Sequence, residues 1–130
     1  MTGNVCRVLV VDDDESVLDS LRLLLESAGY RTAGFGSAEA LIEAGLVKNA
    51  CCLILDIKLP GMSGLELQEY LSSSHTSTPI IIITAHDHPG MEAQALSLGA
   101  MAYLRKPFDG QAILDAVQRI CTKGGGETTS

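Results

Sequence analysis

The sequence predicts an α/β protein built on a five-stranded parallel sheet, with helices on both faces. Short apolar runs alternate along the chain with longer segments in which apolar residues recur at helical spacing. The runs are unbroken and rich in β-branched residues, which is typical of strands buried on both faces. Polar side chains directly follow four of the runs, and the carboxyl ends of parallel strands meet at one edge of a sheet. These observations indicate five successive strand–helix units.

Each predicted strand is followed by a helix with recognisable end signals. The strands are predicted at residues 7–11, 31–34, 52–55, 80–83 and 102–104. Gly29 would end the first helix in a left-handed conformation. Ser37 would cap the second helix, which ends near Gly45. Ser63 and Glu66 form a capping box that opens the third helix, over residues 64 to about 71.

The last two units complete the sheet. Pro89 is expected to open the fourth helix, which ends at Gly99. Asp109 is expected to cap the fifth, whose apolar face carries Ile113, Leu114, Val117 and Ile120. Right-handed crossovers then place helices on both sides of the sheet. Of the two common doubly wound strand orders, the flavodoxin-like order 2-1-3-4-5 is the one we predict.

Composition narrows the class of protein. The 130 residues fit one domain, predicted over residues 1–123, with a Gly-rich flexible tail or linker over residues 124–130. The net charge of −7 argues against nonspecific nucleic-acid binding by this segment. No signal peptide is evident, and the apolar runs are far short of the ~18 residues of a membrane span, which favours a cytoplasmic protein. The cysteines are interpreted as small buried residues in a reducing compartment: Cys6, Cys51, Cys52 and Cys121.

The polar residues at the strand ends suit a divalent cation and a phosphoryl group. Asp12 and Asp13 follow the first strand, Asp56 the third, Thr84 the fourth and Lys106 the fifth. Clustered carboxylates repel one another unless a cation lies among them, and Mg²⁺ prefers oxygen ligands. Asp56, a lone Asp on a central strand, is the best candidate for a nucleophile toward phosphorus. Asp12 and Asp13 would hold the metal, while Lys106 and Thr84 would bind phosphoryl oxygens.

Each of these residues has a simpler alternative. Asp12, Asp13 or Asp14 could cap the first helix, where the helix dipole favours acids. Asp56 could be a turn residue, Thr84 an ordinary strand end, and Lys106 a solvated side chain. The site is favoured because the simpler explanation has to be invoked separately at four strand ends.

The sequence resembles the receiver domain of bacterial two-component response regulators, with features of the FixJ/LuxR-type subfamily. The matching segments follow the family's order: residues 10–13, 55–64, 83–85 and 106–108. The resemblance implies that Asp56 accepts a phosphoryl group from a histidine kinase or phosphotransfer protein. It also implies Mg²⁺, or alternatively Mn²⁺, bound by Asp13, Asp56 and the backbone carbonyl of Lys58, with Asp12 acting through water.

The same resemblance implies a switch and an output. Thr84 and Tyr103 match the family's switch pair, which would change the face formed by the fourth helix, fifth strand and fifth helix. That face would control an output domain, expected to bind DNA, or form a homodimer. The Lys106–Pro107 bond is expected to be cis. The domain would act in signalling and would not turn over a separate substrate.

Two side chains are hypothesised to tune the lifetime of the phosphate, namely Lys58 and His86, although both could equally be exposed loop residues. His75 and His88 are expected at the surface.

The main alternative function is a haloacid-dehalogenase-type phosphatase, in which Asp12 of the Asp12-Asp13-Asp14 run would be the nucleophile. A flavin-binding module is disfavoured because acids replace the phosphate loop. A receiver that works without phosphorylation is disfavoured because the acidic set is complete.

Overall fold

The structure is a computed structural model that describes the backbone of residues 7–126 and the side chains of residues 7–121. The strands are β1 (Arg7–Val11), β2 (Arg31–Phe35), β3 (Cys52–Asp56), β4 (Ile80–Thr84) and β5 (Ala100–Arg105). The helices are α1 (Glu15–Ser27), α2 (Ala38–Ala44), α3 (Gly64–Ser73), α4 (Met91–Ser97) and α5 (Gly110–Gly126). A short 3₁₀ turn, Val47–Asn49, precedes β3. This turn is not among the elements predicted from the sequence.

All neighbouring strands of the sheet pair in parallel, in the order β2-β1-β3-β4-β5. The predicted doubly wound, flavodoxin-like order is therefore confirmed. Val11 of β1 pairs with Leu55 of β3 at the centre of the sheet. Asp12 and Asp56, which follow these two residues, therefore lie side by side. Asp56 in turn pairs with Ile83, the residue before Thr84.

Two apolar cores lie on opposite faces of the sheet, because alternate strand residues point to opposite sides. One core packs between the sheet and the helices α1 and α5, and its strand residues include Val10, Ile54 and Ile83. The other lies under α2, α3 and α4, and its strand residues include Leu55, Ile82 and Tyr103. The apolar runs of the three central strands are fully buried over residues 8–11, 52–55 and 81–83, as continuous apolar runs predict.

The predicted helix ends are largely present. Gly29 has φ +100° and Gly45 φ +69°, the left-handed conformation that ends α1 and α2. The Ser63 hydroxyl accepts the Glu66 N–H at 3.1 Å, and the Ser63 N–H donates to the Glu66 carboxylate at 2.9 Å. This capping box satisfies two of the unpaired N–H groups at the start of α3. The Asp109 carboxylate accepts the Gln111 N–H at 3.1 Å in front of α5.

Several boundaries differ from prediction, and among them β5 spans Ala100–Arg105 instead of residues 102–104. Helix α4 begins at Met91 instead of Pro89, because Gly90 between them has φ +87° and interrupts helical geometry. Helix α5 continues through Gly126, whereas the tail is predicted to start at residue 124. Residues 127–130 lie outside the described part of the chain. The division into a domain and a tail therefore stays a prediction.

The cysteines divide into two kinds. Cys52 and Cys121 are buried and free, and burial raises the pKa of the Cys121 thiol to about 11, which leaves it protonated and unreactive. Burial raises the pKa of Cys52 further still. Cys51 departs from the interpretation as an unpaired buried residue, since it is disulfide-bonded. Cys6 lies outside the described residues.

Across the described chain, none of the helices has the length and apolar character to cross a membrane.

Candidate functional site

Three carboxylates meet at the carboxyl edge of the sheet. Asp12, Asp13 and Asp56 each offer an oxygen atom, and these atoms lie within 4.8 Å of one another. Asp12 and Asp56 are buried, whereas Asp13 is exposed at the mouth of the cluster. Carboxylates this close repel one another, and a cation among them removes that repulsion. Three oxygens from carboxylates are a donor set that suits a hard divalent cation such as Mg²⁺.

Lys106 bridges the two buried carboxylates. Its Nζ atom donates to Asp12 Oδ2 at 2.7 Å and to Asp56 Oδ2 at 3.1 Å. The lysine side chain is 17% exposed, so its ammonium lies at the edge of the cluster and not in open solvent. The end of β5 thereby contributes a positive charge beside the ends of β1 and β3.

Backbone N–H groups hold the second oxygen of each buried carboxylate. The Asp14 N–H donates to Asp12 Oδ1 at 2.9 Å, and the Lys58 N–H donates to Asp56 Oδ1 at 3.2 Å. Both contacts span two residues and form tight turns at the strand ends. Asp14 also caps α1, because its Oδ1 accepts the Ser16 N–H at 2.9 Å. Asp14 is therefore the residue that caps α1, whereas the Asp12 carboxylate lies in the cluster.

Burial and the neighbouring charges have opposing effects on the pKa values of Asp56 and Lys106. Burial and the neighbouring charge of Asp12 raise the pKa of the Asp56 carboxyl, and Lys106 opposes that rise. Burial alone would lower the pKa of Lys106, but its hydrogen bonds and the charges of Asp12 and Asp56 outweigh burial and raise it. The ammonium is therefore retained. The cost of ionising Asp56 favours a further cation at the site.

The loop after β3 packs closely against Asp56. The Gly64 N–H donates to the Ile57 carbonyl at 2.8 Å. A Cβ on Gly64 would overlap the Asp56 carbonyl oxygen and would lie 2.8 Å from the Ile57 Cα, so only glycine fits there. At the far side of the loop, Glu39 of α2 accepts the Met62 N–H at 2.9 Å. The loop that contains Lys58 is thus held at both ends.

Thr84 is buried at the end of β4, beside the cluster but outside its hydrogen bonds. Its Oγ1 accepts the His86 N–H at 2.9 Å, and its carbonyl accepts the Lys106 N–H at 2.8 Å. In the part of the chain that is described, no side-chain hydrogen bond joins Thr84 to Asp56. Strand alternation places Thr84 with Ile82 on the α4 side of the sheet.

Tyr103 lies on the same side of the sheet as Thr84. Its ring is buried in the core under α4, and its hydroxyl donates to Asp87 Oδ1 at 2.6 Å. Arg105 lies over the ring, 5.2 Å from its centre, and its Nε donates to Asp87 Oδ2 at 2.7 Å. Burial, followed by the hydrogen bond to Asp87, raises the pKa of Tyr103 to about 12. The hydroxyl therefore remains a hydrogen-bond donor at neutral pH.

Asp87, Arg105 and Glu92 are not among the site residues that the sequence predicts. Arg105 precedes Lys106 in the chain, but nothing in the sequence pairs it with an acid 18 residues earlier. The side chains of Lys58 and His86 are both exposed, and so are His75 and His88. The Lys106–Pro107 peptide bond is cis, as the family resemblance implies.

Comparison with known proteins identifies the class of this domain. A family model described as the response regulator receiver domain matches residues 8–118. The chain therefore belongs to the response regulator receiver domain family, which comprises signalling domains.

Its relatives include transcriptional regulators. It is 40% identical over 111 residues to the transcriptional regulatory protein FixJ of Azorhizobium caulinodans, covering 85% of this chain and 53% of that protein. It is 41% identical over 116 residues to the transcriptional regulatory protein TdiR of Thauera aromatica, covering 89% of this chain and 51% of that protein. The chain thus spans about half the length of these curated relatives.

Solved structures agree with this assignment. The response regulator StyR matches with a TM-score of 0.87 and 40% identity, over 97% of this chain and 64% of that one. The structure titled FixJ-N matches with a TM-score of 0.80 and 31% identity, over 92% of this chain and 95% of that one. The FixJ-type resemblance is confirmed, and nothing in these comparisons supports the haloacid-dehalogenase alternative.

Proposed function

We propose that Asp56 accepts a phosphoryl group from the phosphohistidine of a sensor histidine kinase or phosphotransfer protein. In this step a bond forms between an Asp56 carboxylate oxygen and phosphorus, the phosphorus–nitrogen bond breaks, and the imidazole leaves. The observation that carries the proposal is the contact of Lys106 with Asp12 and Asp56 inside a three-carboxylate cluster. The domain's chemistry is confined to its own phosphorylation and dephosphorylation.

The residues around Asp56 divide the work of binding the incoming group. Lys106, already 3.1 Å from Asp56 Oδ2, supplies a positive charge for the phosphoryl oxygens. The Thr84 hydroxyl accepts a hydrogen bond from His86, which leaves its own proton available for donation to a phosphoryl oxygen. Both groups offset negative charge on the transferred group.

The acidic cluster fits a divalent cation. Asp13, Asp56 and the backbone carbonyl of Lys58 would hold Mg²⁺ or Mn²⁺, and Asp12 would contact it through water. When bound, the cation neutralises charge on the carboxylates and on the phosphoryl oxygens. Asp13 is the exposed carboxylate of the three, so it is placed to meet a hydrated ion first.

An apolar groove beside Lys106 offers a surface for the phosphodonor protein. It has a volume of about 590 Å³ and lies between α1 and the segment that joins β5 to α5. Its lining includes Val17, Leu21, Leu24, Pro107 and Phe108. A donor helix seated here would lie next to Asp56, because Lys106 belongs to both the groove and the cluster.

Phosphorylation is proposed to change the face formed by α4, β5 and α5. Thr84 and Tyr103 lie on the α4 side of the sheet, and movement of Thr84 toward the phosphoryl group would let Tyr103 move inward. The changed face would control a DNA-binding output domain on a longer chain or form a homodimer. The transcriptional roles named for its relatives support this output.

Phosphorylation by acetyl phosphate in the presence of Mg²⁺ tests the proposal. Intact-mass spectrometry should show one added phosphoryl group on the wild type and none on Asp56→Asn. Asp19→Asn, which removes the same charge from an exposed position on α1, should be phosphorylated like the wild type. A wild type that takes up no phosphate would contradict the proposal and favour a phosphate-independent receiver.

Lys58 and His86 are proposed to affect the lifetime of the phosphate. Both side chains are exposed, and each lies two residues after a member of the site. Lys58→Ala and His86→Ala should therefore change the rate at which the phosphorylated form decays after removal of acetyl phosphate. Decay at the wild-type rate in both variants would show that they are ordinary loop side chains.

A further inference from the structure

A chain of polar contacts leads from Thr84 to helix α4 and does not pass through the core. It begins at Thr84 Oγ1, which accepts the His86 N–H at 2.9 Å. The next residue, Asp87, accepts from the Tyr103 hydroxyl at 2.6 Å and from Arg105 Nε at 2.7 Å. Arg105 Nη2 then donates to Glu92 in the first turn of α4 at 2.8 Å. These hydrogen bonds, joined by the His86–Asp87 peptide bond, therefore connect the end of β4 to α4.

Asp87 is the branch point of this chain. Its two carboxylate oxygens hold two different residues of β5, Tyr103 through Oδ1 and Arg105 through Oδ2. Residues 85–90 are all exposed, so few packing contacts fix this segment. The segment is instead held to β5 by the Asp87 carboxylate, and its start is held by the Thr84 hydroxyl.

Arg105 makes the arrangement specific. Its guanidinium contacts Asp87 with Nε and Glu92 with Nη2, and it lies over the Tyr103 ring at 5.2 Å. A lysine has a single ammonium group and could not reproduce this forked contact together with ring stacking. The hydrogen bonds from Tyr103 and Arg105 also lower the pKa of the Asp87 carboxyl, which keeps it ionised at neutral pH.

We propose that Asp87 is a positioning residue of the switch, which couples the position of Thr84 to β5 and α4 through Tyr103, Arg105 and Glu92. The inference rests on the proposed function, because the displacement of Thr84 is assigned to phosphorylation. It adds a polar route to the apolar one through the Tyr103 ring. In this arrangement the backbone N–H of His86 contributes to the switch, independently of the His86 side chain.

The existence of the contact can be tested without phosphorylation. A double-mutant cycle of Asp87→Ala and Tyr103→Phe, followed by urea unfolding, measures whether the two residues interact. We expect the two effects on the unfolding equilibrium to be non-additive by about two- to tenfold, the range of a net hydrogen bond. Additive effects would overturn the proposed link, whatever the phosphorylation experiment shows.

The coupling itself is tested by amide NMR after addition of Mg²⁺ and acetyl phosphate. In Asp87→Asn, the shift changes along α4 and β5 should be smaller than in the wild type, while intact mass shows equal phosphorylation. Glu43→Gln, an exposed change of the same charge on α2, should match the wild type. Asp87→Glu, which retains the carboxylate, should recover part of the response.

The outcomes separate the two proposals. Full-size shift changes along α4 and β5 in phosphorylated Asp87→Asn would overturn the role of Asp87 and leave the function of Asp56 intact. A wild type that is not phosphorylated would overturn the proposed function. In that case the double-mutant cycle would still decide whether Asp87 and Tyr103 are coupled.

Discussion

Lys106 Nζ lies 2.7 Å from Asp12 Oδ2, although 94 residues separate the two in the chain. The same ammonium reaches Asp56, so one cation serves two buried carboxylates. The contact brings the first strand and the segment after the last strand together at one edge of the sheet.

Replacing Lys106 by methionine should destabilise the protein. The change leaves two buried carboxylates without their positive partner, and we expect a loss of about 1–3 kcal/mol in the free energy of unfolding, less than for a fully buried pair. Urea unfolding without divalent cation measures the loss. Mg²⁺ should reduce the difference from the wild type, because it supplies charge to the same oxygens. Lys48→Met, at an exposed lysine, is the matched control; equal stabilities of Lys106→Met and the wild type would contradict the bridging role.

Replacing Asp13 by asparagine should weaken Mg²⁺ binding with little effect on the folded protein alone. Asp13 is exposed and belongs to the carboxylate cluster, so its charge serves a ligand more than the fold. Mg²⁺ should raise the melting temperature of the wild type, because a ligand that binds the native state stabilises it. The rise should be smaller in Asp13→Asn and unchanged in Asp19→Asn. An equal rise in all three proteins would argue that the ion binds elsewhere.

Replacing Gly64 by alanine should disturb Asp56. The added Cβ would overlap the Asp56 carbonyl oxygen and lie 2.8 Å from the Ile57 Cα, so the backbone must shift. We expect a destabilisation of about 1–3 kcal/mol by thermal or urea unfolding, as for other overpacked sites. Phosphorylation by acetyl phosphate should also slow. Gly36→Ala, where a Cβ would have nothing within 4 Å, should behave like the wild type.

Alkaline titration should reveal the environment of Tyr103. Its pKa is raised from 10.0 to about 12, so the folded protein retains a proton that the unfolded chain loses at lower pH. The contribution of Tyr103 to stability is present below pH 10 and is lost as the pH rises toward about 12. ¹³C-labelled tyrosine NMR can follow the ring directly. In Asp87→Asn the pH midpoint of the Tyr103 titration should fall, yet stay above 10 because burial is the larger cause of the raised pKa. An unchanged midpoint would contradict the hydrogen bond between Tyr103 and Asp87.

The parts of the site that could be predicted are those that depend on strand ends. Asp12 and Lys106 directly follow strands and Asp56 is the last residue of one, so the parallel sheet brings all three to the same edge. Local end signals were equally informative, as the Ser63 capping box shows. These features depend on a few neighbouring residues, which a single sequence displays.

The parts that could not be predicted depend on side chains that meet through loops. Arg105 and Asp87 are 18 residues apart, and Glu39 contacts a loop 23 residues later. Neither contact follows from strand order or from helical spacing. The predicted start of α4 at Pro89 is wrong for a related reason. The φ of +87° at Gly90 is a backbone conformation that the preceding proline does not determine.

The contact between Glu39 and the Met62 N–H links the outermost strand–helix unit of the sheet to the proposed phosphorylation site. Among the described residues, strand β2 pairs only with β1, at the margin of the sheet, and α2 contributes no residue to the acidic cluster. One carboxylate, whose pKa the Met62 N–H lowers, nevertheless ties α2 to the loop that carries Lys58. Sequence changes on this peripheral helix would therefore shift the loop that borders Asp56, although none of the helix's own side chains enters the acidic cluster.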